Sequence, residues 1–196
     1  MAGAPLLVVI TGPSGAGKDS LLQHLRGAGR PYHFALTATT RPPRGSERDG
    51  VDYHFVSAER FGSLLQEGEL LENAVVYGQR YGVPRAPIRE ALAQGSDVLL
   101  RTDVQGARYI KSILPSAVTV FVSSPSPREL ERRLRSRAED SPEQMELRLR
   151  TARAELEMAA EFDYRLINDD LARCAAELEE ILAQERSRPG REAAAV

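Results

Sequence analysis

Cysteine is almost missing from this sequence: Cys174 is the only one in 196 residues. A single thiol excludes an internal disulfide framework and suits a reducing compartment. Cys174 falls in a stretch expected to be helical, where quiet packing is the default for a free thiol. Long apolar runs are missing too. No stretch approaches the roughly 18 residues that a membrane-spanning helix needs. The apolar segment at 6–10 is short, lacks a basic flank and runs directly into a glycine loop, so it does not read as a signal peptide. Charge of one sign is not in excess either: 26 Lys and Arg face 28 Asp and Glu, a net charge of −2. That balance gives no global attraction for nucleic acid, so any anion site must be local. Internal repeats are absent. The cytoplasm is the expected location, with no membrane and no nucleic acid as partner.

What is present fits a soluble globular chain, with 42% hydrophobic and 28% charged residues and length for one domain with a substantial core. Leu6, Leu7, Val8, Val9 and Ile10 read as a strand buried on both faces, the kind found in parallel sheets. Leucines at helical spacing follow a glycine loop, which gives strand, loop and helix in that order. Further strands are expected at 97–102, 118–122 and 164–167, and helices at 85–93, 127–137, 143–162 and 171–186. This alternation implies an α/β fold with a parallel sheet and right-handed crossovers. Residues 37–81 break the rhythm with short strands and turns, expected to form a lobe beside the sheet. The polar stretch 136–142 reads as the hinge of a lid, and 187–196 as a frayed, disordered tail.

Gly12, Pro13, Ser14, Gly15, Ala16, Gly17 and Lys18 match the phosphate-loop pattern of two glycines separated by four residues and followed by lysine. Glycines allow backbone N–H groups to converge closely on a phosphate. The helix that follows aims its positive dipole end at the same point, and Lys18 adds a mobile point charge. A plain glycine turn would not need a buried strand before it and a helix after it. The pattern continues with Ser or Thr, but Asp19 stands here and Ser20 comes next. The Asp19 carboxylate is either a hard oxygen ligand for Mg2+ or an N-terminal helix charge.

Beyond the loop, Thr37, Thr40, Arg41 and Arg44 resemble the Ser/Thr-x-x-Thr-Arg-x-x-Arg segment of the guanylate kinase family. The resemblance runs on through Asp49 to Val56, Gly68 to Glu72, Tyr81-Gly82, Asp103-Val104-Gln105-Gly106 and Asn168 to Leu171. These motifs keep the family's order and spacing from Leu6 to about Ala183. The resemblance implies a P-loop NTPase fold, with a parallel β-sheet core flanked by helices, a small mixed-β GMP-binding lobe and a helical lid. The domain would span 4–184, with core segments 4–36, 84–135 and 151–184, the lobe at 37–83 and the lid at 136–150. The implied activity is phosphorylation of GMP, and of dGMP, by ATP with Mg2+. No partner beyond these small molecules is expected, in a monomer or homodimer.

Carried over by position, Arg41, Arg44, Tyr53 and Tyr81 would hold the GMP phosphate, and two arginines three apart make a suitable donor fork. Glu72 would accept from the guanine N1–H and amino group, with Thr37, Gly82 and Asp103 as further acceptor contacts. Lys18, Arg41, Arg137 and Arg148 would supply the catalytic positive charge, and Arg133 and Asn168 would contact ATP. Asp19, Ser20 and Asp103 are the metal candidates. Arg132 and Arg135 read instead as surface partners of Glu129 and Glu131.

Two further positions depart from the family. Val83 stands where a hydroxyl residue usually follows Tyr-Gly, a loss worth about 1 kcal/mol. Arg101 stands where an acidic residue is usual, with Glu72 and Asp103 as candidate partners. Gly17-Lys18-Asp19-Ser20 and Tyr81-Gly82-Val83 also resemble the ribose 1,5-bisphosphate phosphokinases, which use the same fold on a sugar phosphate. A non-catalytic guanylate-kinase-like interaction module is a third reading, although such modules typically lose the phosphate loop kept here.

Overall fold

β1 (Leu7–Thr11) is buried at every residue, as its unbroken apolar run demands. The structure is a computed structural model that describes residues 4–76, 78–136 and 141–196. After β1 come α1 (Lys18–Gly27), β2 (His33–Ala35), β3 (Ala38–Thr39), β4 (His54–Phe55), α2 (Ala58–Gln66), β5 (Leu70–Val76) and β6 (Gln79–Pro84). The chain continues through α3 (Arg85–Ala93), β7 (Val98–Arg101), α4 (Val104–Ile113), β8 (Val118–Ser123) and α5 (Pro127–Arg135). It ends with α6 (Pro142–Glu157), a 3-10 turn (Met158–Glu161), β9 (Tyr164–Ile167) and α7 (Leu171–Ser187).

The main sheet has the order β2-β7-β1-β8-β9, with every neighbouring pair parallel. Alternation along β1 divides the core in two. Val8 and Ile10 pack with Leu21 and Leu25 of α1 and with Cys174 and Leu178 of α7. Leu7 and Val9 pack on the other side with Ile88 of α3 and with Val104, Ala107 and Ile110 of α4. Each buried Val, Leu or Ile side chain among them contributes about 2 kcal/mol. Cys174 sits in the first cluster, where burial pushes its thiol up to about 11, so it is an inert packing group at neutral pH. β1 separates β7 from β8, and ligands in such sheets bind beyond the strand carboxyl ends at this kind of reversal.

A second, mixed sheet has the order β4-β3-β6-β5. β5 and β6 form an antiparallel hairpin whose register shifts between Leu70 and Glu72. This bulge breaks the strand's alternation, so Leu70, Leu71 and Glu72 are all buried in succession. The expected strands and helices of the main sheet appear close to their sequence bounds. The helix expected over 143–162 ends at Glu157, and the 3-10 turn completes its path. β2, α2 and α4 were not individually expected. α4 shows its core stripe at 104, 107 and 110.

Ser141 and Gln144 form a reciprocal capping box that starts α6. Arg137 and the rest of 137–140 lie outside the described residues. The segment after Ser187 has no regular element. It is nevertheless anchored where Arg191 donates to Glu185 at 2.6 Å and to Ser116 O at 2.8 Å, and Ala194 and Val196 touch the second core cluster. Among the described residues, no helix is long and apolar enough to cross a membrane.

Candidate active site

The loop leaving β1 approaches its neighbours too closely for side chains at two positions. Gly12 has φ 132°, and a Cβ there would run into the carbonyl oxygen of Val122 on β8. Gly17 has φ 92°, caps α1 and would drive a Cβ into the Asn168 amide. Only glycine adopts these dihedrals without strain. Asn168 follows β9, and its Nδ2 donates to Ala16 O at 2.9 Å. Arg133 of α5 donates to Asn168 O at 2.9 Å and to Glu129 at 2.8 Å. Arg133 and Asn168 are therefore both brought to the loop, with Asn168 bracing its backbone. Lys18 Nζ donates to Gly12 O at 2.5 Å and Pro13 O at 3.0 Å. The ammonium thus folds back over the first residues of the loop. Arg132 and Arg135 pair with Glu129 and Glu131 on the surface, as expected.

The guanidinium of Arg41 is 6% exposed and pairs bidentately with Glu47 at 2.6 and 2.8 Å. Glu47 makes Arg41 more basic, and Arg41 in turn holds the Glu47 carboxyl below its usual range. Arg41 also lies 4.7 Å from the Tyr53 ring centroid, and the Tyr81 hydroxyl faces it. Arg44 is exposed, with its backbone N–H on Glu47 at 2.8 Å. Arg41 Nε is buried without a hydrogen-bond partner among the described residues. A cleft of about 260 Å3 opens here, lined by Thr37, Glu47, Tyr53, Asp19 and Arg101 among others.

Arg101 ends β7, level with Ile10 of β1. It pairs with Asp19 rather than with Glu72 or Asp103. The reason is register. The parallel pairing sets the end of β7 beside the loop that leads into α1, whose first turn carries Asp19. Arg101 also stacks on Tyr53, at 4.8 Å from the ring centroid.

Glu72 is 3% exposed. Thr102 Oγ1 donates to its Oε1 at 3.0 Å. Its Oε2 has no hydrogen-bond partner among the described residues. Burial pushes the Glu72 carboxyl up to about 7, with the Asp103 charge adding to the rise and the Thr102 hydrogen bond opposing it. A Cβ at Gly106 would come 2.9 Å from Glu72 Oε2, so the glycine of the Asp-x-Gln-Gly motif makes room for this carboxylate. Asp103 caps α4 by accepting from Gly106 N at 2.7 Å. Gly82 sits buried, where a Cβ would meet Leu70 and Phe61 at 2.9 and 3.1 Å. Val83 is fully buried in the second core cluster. Thr37 is buried at the cleft. The run Glu72–Thr102–Arg101–Asp19 thus links an open, buried acceptor to the loop-bearing helix.

Sequence reasoning missed Glu47, Thr102 and Glu155. Arg148, Ala152 and Glu155 fall on one face of α6 by their spacing. Burial pushes the Glu155 carboxyl up to about 7 against the pull of Lys18, while Asp103 raises it further. That spacing was the available signal for Glu155. Among the described residues, no cluster of three or more His, Cys, Asp or Glu forms a metal cage. Asp19, Ser20 and Asp103 still offer hard oxygens of the kind Mg2+ takes, one or two at a time, together with nucleotide phosphates. Chemically, the arrangement offers an anion cradle, a second cationic patch and a buried hydrogen-bond acceptor at the carboxyl end of the sheet.

The family model described as guanylate kinase matches residues 5–185. The chain is 50% identical to the guanylate kinase of Anaeromyxobacter dehalogenans over 185 residues, which cover 93% of this chain and 82% of that one. It is 43% identical to the guanylate kinase of Alkalilimnicola ehrlichii over 182 residues, covering 93% and 90% of the two. The crystal structure of guanylate kinase from Anaplasma phagocytophilum superposes with a TM-score of 0.79 at 30% identity, covering 96% of this chain and 90% of that one. A match of this length, laid over the phosphate loop and the buried glutamate alike, means that the chain belongs to the guanylate kinase family.

Proposed function

We propose that the protein transfers the γ-phosphoryl group of ATP to GMP, forming ADP and GDP, and accepts dGMP as well. The observation that carries this reading is Glu72, buried with one oxygen held by Thr102 and the other open. Guanine presents two adjacent donors, N1–H and the 2-amino group, and a carboxylate accepts from both. Adenine has no such pair, so the same site leaves a buried charge unsatisfied against it.

In this reading residues 37–83 form the acceptor lobe and 136–150 the lid. Arg41, Arg44, Tyr53 and Tyr81 hold the GMP phosphate, while Thr37, Gly82 and Asp103 complete its pocket. The buried, open Nε of Arg41 suits an incoming phosphate oxygen. The ATP phosphates rest on backbone N–H groups from Gly12, Pro13, Ser14, Gly15, Ala16 and Gly17, with Asp19 and Ser20 at the start of α1. Arg133 and Asn168 close the nucleotide side.

A GMP phosphate oxygen is already anionic, so the transfer needs no strong general base. Catalysis then comes from in-line positioning and from positive charge placed where the γ-phosphoryl oxygens develop negative charge. Lys18, Arg41, Arg137 and Arg148 supply that charge, and lid closure keeps water from accepting the phosphoryl group. Mg2+ bound through Asp19, Ser20 and Asp103 would add charge neutralisation at the nucleotide phosphates.

An ADP-release assay across acceptors tests the proposal. GMP is expected to support turnover, with AMP lower by roughly ten-thousandfold, the discrimination reached by sites that hydrogen-bond a specific donor. Turnover with ribose 1,5-bisphosphate and none with GMP would overturn the reading.

A further inference from the structure

Two guanidinium groups address one aromatic ring that lines the acceptor cleft. Arg41 lies 4.7 Å from the Tyr53 centroid and Arg101 lies 4.8 Å from it. Each carries a carboxylate partner from the same cleft, Glu47 for Arg41 and Asp19 for Arg101. Arg41 belongs to the acceptor-phosphate set proposed above; Arg101 does not, because nothing in the sequence pattern puts a cation at that position.

We infer that Arg101 is a further cation for the acceptor's phosphate, and that Asp19 is its resident counter-ion, displaced when the phosphate arrives. The inference deepens the GMP reading and rests on it. Two observations and one chemical argument support it. First, the Arg101 side chain is only 19% exposed, whereas its partner Asp19 is 53% exposed. Released from the pair, Asp19 hydrates readily, while Arg101 stays confined beside Tyr53. Secondly, Asp19 stands in the first turn of α1, where the helix N-terminus favours a carboxylate with or without its arginine. Thirdly, a phosphate dianion offers a guanidinium more charge than a carboxylate does, in a geometry that suits two parallel N–H bonds. Exchange of Asp19 for phosphate is therefore favoured, and the cleft passes from paired to substrate-bound without burying an unpaired charge.

A purely structural pair, clamping α1 to the end of β7, would behave differently. Removing either member would then harm the site in the same direction. A counter-ion that competes with substrate gives opposite signs, because Asp19→Asn frees Arg101 for the phosphate.

The test is calorimetric titration of the intact protein with GMP, in metal-free buffer without ATP, so that no metal role of Asp19 intrudes. Guanosine is measured in parallel by competition, and thermal unfolding confirms that each variant is folded. Arg101→Gln is expected to raise the GMP Kd roughly tenfold to a hundredfold, the worth of a hydrogen bond to a charged group. Arg101→Lys should recover part of that loss. Asp19→Asn is expected to lower the GMP Kd severalfold, and guanosine binding should be unchanged in every variant. The inference is overturned if both substitutions weaken GMP alike, if guanosine weakens as much as GMP, or if Arg101→Gln weakens ATP and spares GMP. Wild-type protein that fails to bind GMP at all would overturn the GMP reading itself, a result distinct from each of these.

Discussion

Replacing Lys18 by alanine is expected to lower kcat with ATP and GMP by about a thousandfold, the loss seen when one preorganised donor to a developing oxyanion is removed. Lys18 follows directly from the glycine run and starts α1, and its ammonium folds back over the loop. Backbone donors remain in the variant, and binding of ATP therefore survives better than its turnover. The side chain's own hydrogen bonds, to Gly12 O and Pro13 O, are partly buried. Their loss costs stability about 2 kcal/mol at most, a drop in Tm of several degrees for a chain of this size. The diagnostic pattern is a kcat loss far larger than the change in GMP Kd. Activity within tenfold of wild type would show that the lysine does not carry charge to the transferring group.

Glu72→Gln is expected to lower kcat/KM for GMP by about a thousandfold and to change its pH dependence. The amide keeps one acceptor but sets an N–H2 group against a guanine donor in a buried site, where an unpaired polar group is costly. The pH behaviour follows from the raised carboxyl. Burial pushes Glu72 up to about 7, so in the free protein it is largely neutral below that pH, whereas guanine needs the carboxylate. GMP affinity should then fall as pH drops below about 7, with a proton released on binding in that range. The GMP phosphate titrates near 6 as well, and the glutamine variant isolates its contribution, since only the phosphate still titrates there.

Stability gives the opposite slope. A carboxyl raised in the folded state favours folding while it stays neutral. That contribution is complete below its ordinary value of 4.5 and is lost as pH rises through about 7. Thermal unfolding of wild type and Glu72→Gln across this window should converge at acid pH. Toward neutrality the wild type should become the less stable of the two. Parallel curves would mean that Glu72 ionises as an ordinary surface acid.

Much of this was legible in the sequence because it is local. The glycine spacing before Lys18 encodes the cradle directly, and the apolar runs of β1, β7 and β8 announce a parallel core. The second sheet was legible only as a break in rhythm, since β3 and β4 have two residues each and carry no periodicity of their own. Glu72 illustrates what a string of residues hides. In Gly-Glu-Leu-Leu-Glu it reads as a solvated acid, and its burial depends on a register shift against β6 and on space left by Gly106, which lies 34 positions later. Arg101 and Asp19 are 82 positions apart and meet because β7 pairs beside β1. Their coupling belongs to sheet order, which no local pattern states. Glu47 escaped notice because a charged turn is ordinarily solvated, and only the fold closes it onto Arg41.

The central claim is that one cradle and one buried carboxylate serve a single transfer between two nucleotides. Incubation of the protein with GMP and with ATP labelled by 18O in its γ-phosphoryl group, followed by mass spectrometry of the products, tests it most directly. The account requires GDP carrying the labelled terminal phosphoryl group, formed in equal amount with ADP. ADP accompanied by labelled inorganic phosphate, with no labelled GDP, would contradict it.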